Sequence, residues 1–234
     1  MKRIFDIHSH ILPAVDDGSP DMETSIRLLK EEVSEGVTDI ILTPHYRLDM
    51  FLTPATTVQK VFNEFESEVA KNDIKVNLYL GQELHYAKEM LPLIKEKKAL
   101  TLNGTNYILL EFSWHIKPEN PSQIIKEFID NGIIPIVVHY ERFPYKTIDD
   151  IVEMKKAGAL FQVNAYSLLG VEREERMFFA EDMLKNGLID FISADYHKGK
   201  RLELTNAYNK VVSLVGEKTA DKLFYLNAKE ILKR

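Results

Sequence analysis

The sequence predicts an α/β protein built as one closed or nearly closed parallel barrel, with a doubly wound open sheet as the competing layout. Three observations lead there. Seven short apolar runs rich in Ile and Val recur along the chain, segments with helical spacing separate most of them, and no Pro/Ser-rich linker or break in composition divides the 234 residues. That continuity predicts a single domain over 1–234.

The runs cover 4–7, 38–43, 76–80, 107–112, 133–138, 160–163 and 191–193. Each is too short for a helix and nearly continuous in apolar character, as strands buried on both faces are. Met22, Ile26, Leu29 and Val33 form the first helical stripe, opened by Ser19 and Pro20 and stopped by Gly36. Ile124, Ile125, Phe128 and Ile129 form another, closed by Gly132. Ile148, Ile151, Val152 and Met154 precede Gly158, and Met177, Ala180, Met183 and Leu184 precede Gly187. A glycine followed by an apolar residue at 36, 132, 158 and 187 marks four returns from helix to strand. The stretch 202–232 reads as two helices packed outside the sheet.

Composition narrows the chemistry. The 36 acidic and 30 basic residues leave a formal net charge of −6, and counterion release at a nucleic-acid backbone needs a basic surface, so no nucleic-acid partner is expected. Hydrophobic residues at 45% and charged residues at 28% are the balance of a soluble globular chain. Zero cysteine excludes disulfides, thiolate-held zinc or iron–sulfur centres and a thiolate nucleophile, which leaves oxygen and imidazole groups. No apolar run approaches the roughly 18 residues of a membrane span, and the longest, 133–138, contains Pro135. Asp6 and His8 interrupt any signal-peptide core near the start. A cytoplasmic protein without membrane insertion is the expectation.

Polar residues gather where the strands end. The first run leads into Asp6-Ile7-His8-Ser9-His10 and the second into Thr43-Pro44-His45. The third is followed by Gly81-Gln82-Glu83, and the fourth carries Glu111. His139, Glu141 and Arg142 lie beyond the fifth, Gln162 and Asn164 at the sixth, and Asp195-Tyr196-His197 after the seventh. In parallel α/β folds the C-terminal strand ends are where active sites are built. Alternation places both imidazoles of His8-x-His10 on one side of a strand, within reach of one ion. Asp16-Asp17-Gly18 taken alone reads equally well as a turn. Glu111, flanked by Leu109, Leu110 and Phe112, would carry a heavy desolvation cost unless paired or metal-bound.

Nine candidate ligands thus converge: His8, His10, Asp17, His45, Glu83, Glu111, His139, Asp195 and His197. A catalytic zinc takes three protein ligands, so this set points to two or three ions sharing bridging carboxylates. Nitrogen and oxygen donors suit Mn, Fe, Zn or Mg and disfavour copper(I).

The succession of H-x-H, D-D-G, a single His, two Glu, another His and a final D-x-H resembles the polymerase-and-histidinol-phosphatase (PHP) family of metal phosphoesterases over nearly the whole chain. More narrowly, DIHSHILPAVDDGSPD, TPH, GQEL, LLEFS, HYER and SADYH resemble the bacterial PHP-type protein tyrosine phosphatases, which act beside autophosphorylating tyrosine kinases of capsular and exopolysaccharide synthesis. The resemblance implies a distorted seven-stranded (β/α) barrel with a two- or three-metal centre, most often manganese. It places all nine candidates in the cluster, with Asp16 as a turn or supporting residue. It also implies two phosphate-binding arginines: Arg142 within HYER, and Arg201, which matches less closely because the loop after His197 is short.

The implied chemistry is hydrolysis of phosphotyrosine by a metal-bound hydroxide, with direct expulsion of the phenolate and a tyrosine kinase as partner. Tyr46, Phe51, Trp114, Tyr140, Phe143 and Tyr196 are candidates to flank a tyrosine ring, although ordinary packing suits each of them too. His85 and His115 match no motif position and read as surface or packing residues. A histidinol-phosphatase would share every ligand, and a non-catalytic metal-binding scaffold is the alternative of a different class.

Overall fold

The structure, a computed structural model, describes residues 3–233; Met1, Lys2 and Arg234, the ends of the expected domain, lie outside the described residues. All seven apolar runs form strand, and two of them, 38–43 and 76–80, are each followed by a further short strand that the sequence does not predict. β1 (Ile4–Ser9) is followed by α1 (Met22–Ser34), β2 (Val37–Leu42), β3 (His45–Tyr46), α2 (Ala55–Lys71), β4 (Asn77–Leu80) and β5 (Glu83–His85). Next come α3 (Met90–Lys95), β6 (Tyr107–Glu111), α4 (Pro121–Asp130), β7 (Ile134–Val138), α5 (Ile148–Lys156) and β8 (Leu160–Asn164). The chain closes with α6 (Ala165–Leu168), α7 (Glu174–Lys185), β9 (Phe191–Ser193), α8 (Leu204–Val215), α9 (Glu217–Asp221), a π turn (Lys222–Leu226) and α10 (Asn227–Ile231).

Every ladder is parallel. The strands divide into a three-stranded sheet, β1-β2-β4, and a six-stranded sheet, β3-β5-β6-β7-β8-β9, so the hydrogen bonding does not close the expected seven-stranded barrel among the described residues. The breaks have local causes. Between β2 and β3 stands Pro44, which has no N–H for a ladder. Between β4 and β5 stands Gly81, where a Cβ would lie 2.7 Å from Leu102 Cδ2 and 3.2 Å from its Cα. The predicted runs β2 and β4 therefore lie in the first sheet, and the short strands that follow them, β3 and β5, in the second. The sheets also meet where β1 runs beside the end of β9: Asp195 N donates to His8 O (2.8 Å) and His10 N to Tyr196 O (3.0 Å).

Three of the helices begin where a side chain satisfies an N–H group of the first turn. Asp21 caps α1 through Thr24 N, Asn120 caps α4 through Gln123 N with Pro121 following, and Thr147 caps α5 through Asp150 N. The opening of α1 is thus Asp21, rather than Ser19 and Pro20. Helix α2 buries Val58, Phe62, Phe65 and Val69 along one stripe but ends at Asn72-Asp73 without the glycine return that marks the others. The C-terminal stretch departs from the expected outer packing. Ala228 and Ile231 of α10 share an apolar cluster with Phe5, Ile7, Ile41, Leu109, Ile136, Val138 and Phe191, so this helix packs on strand side chains from both sheets. The remaining core lies between the sheets and the other helices.

Candidate metal centre

The end of β1 supplies the first two imidazoles. A register shift between Asp6 and Ser9 in the β1–β2 ladder re-aims the strand as it enters the site. Asp6 accepts from His8 N (3.0 Å) and from Ala194 N, tying β1 to β9. His8 and His10 are fully buried. His8 Nδ1–H is taken by Gln162 Oε1 at 3.0 Å, an amide oxygen whose assignment follows from Gln162 Nε2 donating to Asn164 Oδ1 at 2.8 Å. His10 Nδ1–H is taken by Asp16 Oδ2 at 2.8 Å. In the neutral rings that bind metal, both Nε2 atoms therefore turn their lone pairs inward, where they face each other at 3.0 Å.

The loop after β1 wraps closely around His10. Asp16 accepts from His10, from His45 N (2.9 Å) and from Gly18 N (2.9 Å), so it supports two imidazoles at once. A Cβ at Gly18 would lie 1.9 Å from His10 O, so only glycine permits this approach. Asp17 faces the site from the solvent side: its side chain is 59% exposed, with Oδ1 3.5 Å from His45 Nε2 and 3.6 Å from His197 Nε2.

Glu83 stands at the centre. Its Oε1 accepts from His139 Nε2 at 2.9 Å. Its Oε2 lies 2.8 Å from His45 Nδ1, 3.3 Å from His10 Nε2 and 3.4 Å from His8 Nε2, yet none of these forms a well-directed hydrogen bond. Glu111, at the end of β6, receives His85 Nδ1 (2.9 Å) on one oxygen and Trp114 Nε1 (3.0 Å) on the other. Asp195 divides its oxygens as well. Oδ2 accepts from Arg142 Nη1 (2.9 Å), Asn164 Nδ2 (2.8 Å), Tyr166 OH (3.1 Å) and Lys200 Nζ (3.3 Å), while Oδ1 faces His8, His10 and His197 at 3.4–3.8 Å. His139 and Asp195 both adopt left-handed backbone (φ 37° and 49°), a cost of the kind that concentrates at functional sites.

All nine expected ligands belong to triads whose donor atoms lie within 4.8 Å of one another: His10, His45 and His197; His8, Glu83 and His139; His8, His10 and Asp195; Asp16, Asp17 and His45; His45, Glu83 and Glu111. The charges are mutually dependent. Burial alone would lower the His8 pKa, but the Glu83 and Asp195 charges raise it to about 9. The same balance, with Glu83 and Asp16 as partners, lifts His45 to about 10. Burial pushes the Glu83 carboxyl up, and the His8 and His45 charges outweigh it and hold Glu83 well below the carboxylate range. Opposed imidazole lone pairs, an orphaned buried carboxylate oxygen and an excess of anionic donors are together what divalent ions would satisfy, so the residues present fit them.

The cavity above the cluster, about 270 Å³, is lined by Phe51 and Trp114 and by the cations Arg47, Arg142 and Lys200. Arg142 stands where the sequence places it. Arg201 does not line this cavity; its side chain is 74% exposed and pairs with Glu203 at 3.3 Å. Of the aromatic candidates, Phe51 and Trp114 border the cavity, whereas Tyr46, Tyr140, Phe143 and Tyr196 are buried in packing. Sequence reasoning missed Arg47 and Lys200, placed Gln162 at a strand end without giving it a role, and set His85 aside although that residue holds Glu111. The period-two spacing of Glu83 and His85, like that of Gln162 and Asn164, is the signal that could have found two of these.

Comparison with known proteins follows the same line. The family model "Capsular polysaccharide synthesis, CpsB/CapC" matches residues 4–233. Tyrosine-protein phosphatase CpsB of Streptococcus agalactiae is 32% identical over 241 aligned positions, covering 98% of each chain. A chain from the crystal structures of YwqE from Bacillus subtilis and CpsB from Streptococcus pneumoniae, described as metal-dependent tyrosine phosphatases, superposes with a TM-score of 0.92 at 28% identity, covering 98% of this chain and 94% of that one. The histidinol phosphate phosphatase of Lactococcus lactis shares the fold alone, with a TM-score of 0.61 at 15% identity and 94% of each chain covered. With residues 4–233 matched by the family model, the chain belongs to the CpsB/CapC family of capsular polysaccharide synthesis.

Proposed function

We propose that residues 1–234 act as a cytoplasmic, metal-dependent protein tyrosine phosphatase whose substrate is a phosphotyrosine protein, in particular a bacterial tyrosine kinase of capsule or exopolysaccharide synthesis. The observation that carries this reading is the convergence of five imidazoles and the Glu83, Glu111 and Asp195 carboxylates on one floor with the Arg142 guanidinium beside it. The relatives named as tyrosine phosphatases at about a third identity support the activity, and their capsule family supports the setting.

His8, His10, His45, Glu83, Glu111, His139, Asp195, His197 and Asp17 would hold two or three divalent ions, manganese first among them. When bound, such ions supply charge neutralisation of the phosphoryl oxygens and an activated water at neutral pH. The protein's own groups do the rest. Asp195 pins one edge of Arg142, which leaves its other N–H donors for phosphoryl oxygens. Phe51 and Trp114 exclude water around an aryl group. The departing phenolate, with a parent pKa of about 10, needs less protonation than an alkoxide, so no dedicated general acid is required.

The test is turnover of p-nitrophenyl phosphate, a phosphotyrosine peptide and histidinol phosphate, each with Mn²⁺ and with EDTA. The aryl substrates should be hydrolysed only with metal. Turnover of histidinol phosphate alone would overturn the substrate, and EDTA-resistant activity would overturn the metal requirement.

A further inference from the structure

Trp114 is the chain's one tryptophan, and it borders the cavity just beyond β6. Its surroundings hold it firmly. The Phe143 ring meets the indole edge-on at 5.4 Å, and Tyr145 stacks on Phe143 while its hydroxyl donates to Ser113 O, the residue before Trp114.

From that position Trp114 makes two contacts of different kinds. Its edge donates Nε1–H to Glu111 Oε1 at 3.0 Å, and its face carries the Arg142 guanidinium, with Cζ 4.7 Å from the ring centroid. On the other oxygen of Glu111, His85 Nδ1 closes the grip at 2.9 Å. We infer that Trp114 is a positioning residue that sets the Glu111 carboxylate toward the ions and the Arg142 guanidinium toward the phosphate, with His85 as its counterpart on Glu111. The inference rests on the phosphatase reading for the role of Arg142, but not for the role of Glu111.

The physical reason lies in the indole itself. It is a donor only, so its N–H can orient a carboxylate without competing for the ions, and its negative face attracts a guanidinium laid over it. Partners that orient a metal-bound carboxylate typically alter metal affinity or activity by 10–100-fold when removed. The aligned guanidinium, already held at one edge by Asp195, loses its remaining freedom to the ring.

Two variants separate the contacts. Trp114→Phe keeps an aromatic face and removes the N–H; Trp114→Leu removes both. With Mn²⁺ affinity read by equilibrium dialysis, both should bind the ion about 10-fold more weakly than wild type. KM for p-nitrophenyl phosphate at saturating Mn²⁺ should stay within about 2-fold for Trp114→Phe and rise about 5-fold for Trp114→Leu. The unmodified protein supplies an independent readout, since its tryptophan emission comes from this site alone: stripped of metal with EDTA and titrated with Mn²⁺, it should be quenched, and inorganic phosphate should shift it again. An emission unmoved by Mn²⁺ and phosphate, or variants that bind Mn²⁺ as wild type does, would overturn the inference. A protein that binds Mn²⁺ with these ratios but hydrolyses no aryl phosphate would uphold the Glu111 half and defeat the phosphatase reading instead.

Discussion

On the wall formed by β1, β8 and β9, His8, His10 and Asp195 are buried and each is held by a buried side chain: Gln162, Asp16 and Asn164 respectively. At the mouth, Asp17 and Lys200 reach the same centre through ion pairs with His45 and Asp195, and Arg47, paired with Asp49, lines the cavity above it. Both regions carry ligating or cationic groups, but their positions have different origins. Hydrogen bonds in a dry interior set the first group to within narrow limits, and leaving one partner unmade costs about 1–3 kcal/mol. Exposed ion pairs are worth about 0–1 kcal/mol and weaken with salt, so the second group can adjust to a substrate. The deep wall is built for the ions, and the mouth for whatever arrives.

The comparison can be broken or sharpened by graded experiments. Removing the ions should have the largest effect: EDTA should cut aryl phosphatase activity by more than about 1,000-fold, Mn²⁺ should restore it, and thiol alkylation should change nothing in a chain without cysteine. Next, Arg142→Ala should lower kcat/KM by about 100-fold or more while metal content, measured by elemental analysis, is retained. Loss of metal in step with activity would make Arg142 part of the deep wall. Gln162→Met, which keeps the volume but removes the acceptor for His8 Nδ1–H, should weaken Mn²⁺ binding about 10-fold with little change in KM. Lys200→Ala at the mouth should raise KM a few-fold, by about 0–1 kcal/mol, and the difference should shrink at high salt. Arg201→Ala should have the smallest effect, within about 2-fold, because its exposed pair with Glu203 leaves it outside the cavity. A loss comparable to that of Arg142→Ala would show that the loop after His197 carries this guanidinium inward when substrate binds.

The two regions also differ in how legible they were. Residues of the deep wall announced themselves through chemistry that is out of place in a strand. Glu111 between leucines and a phenylalanine has no inexpensive bland explanation, and the alternating His8 and His10, which alone could be turn residues, gain their meaning from converging with it. Arg47 and Lys200 are ordinary surface residues in sequence and become part of the cavity only because the loops after β3 and β9 fold over it. His85 was set aside because a lone histidine after a short strand has many uses. Only the parallel register of β5 with β6, which places His85 beside Glu111, gives it one. The strand runs were legible for a similar reason to Glu111, as apolar continuity has few other meanings. The division into two sheets was not, since it turns on how Pro44 and Gly81 interrupt pairing rather than on hydrophobicity.

Residue type and order alone therefore settled which chemistry was possible. Without a thiol, and with imidazoles and carboxylates at the strand ends, the only ligands the chain offers an ion at this site are nitrogen and oxygen. Distances were another matter. That Glu83 lies at the centre, that Asp195 turns one oxygen to Arg142 and the other to the imidazoles, and that Trp114 touches both Glu111 and Arg142 all depend on side chains far apart in sequence. Periodicity reports which face a residue shares with its neighbours along one strand; only packing between strands decides which residue meets it across a cavity.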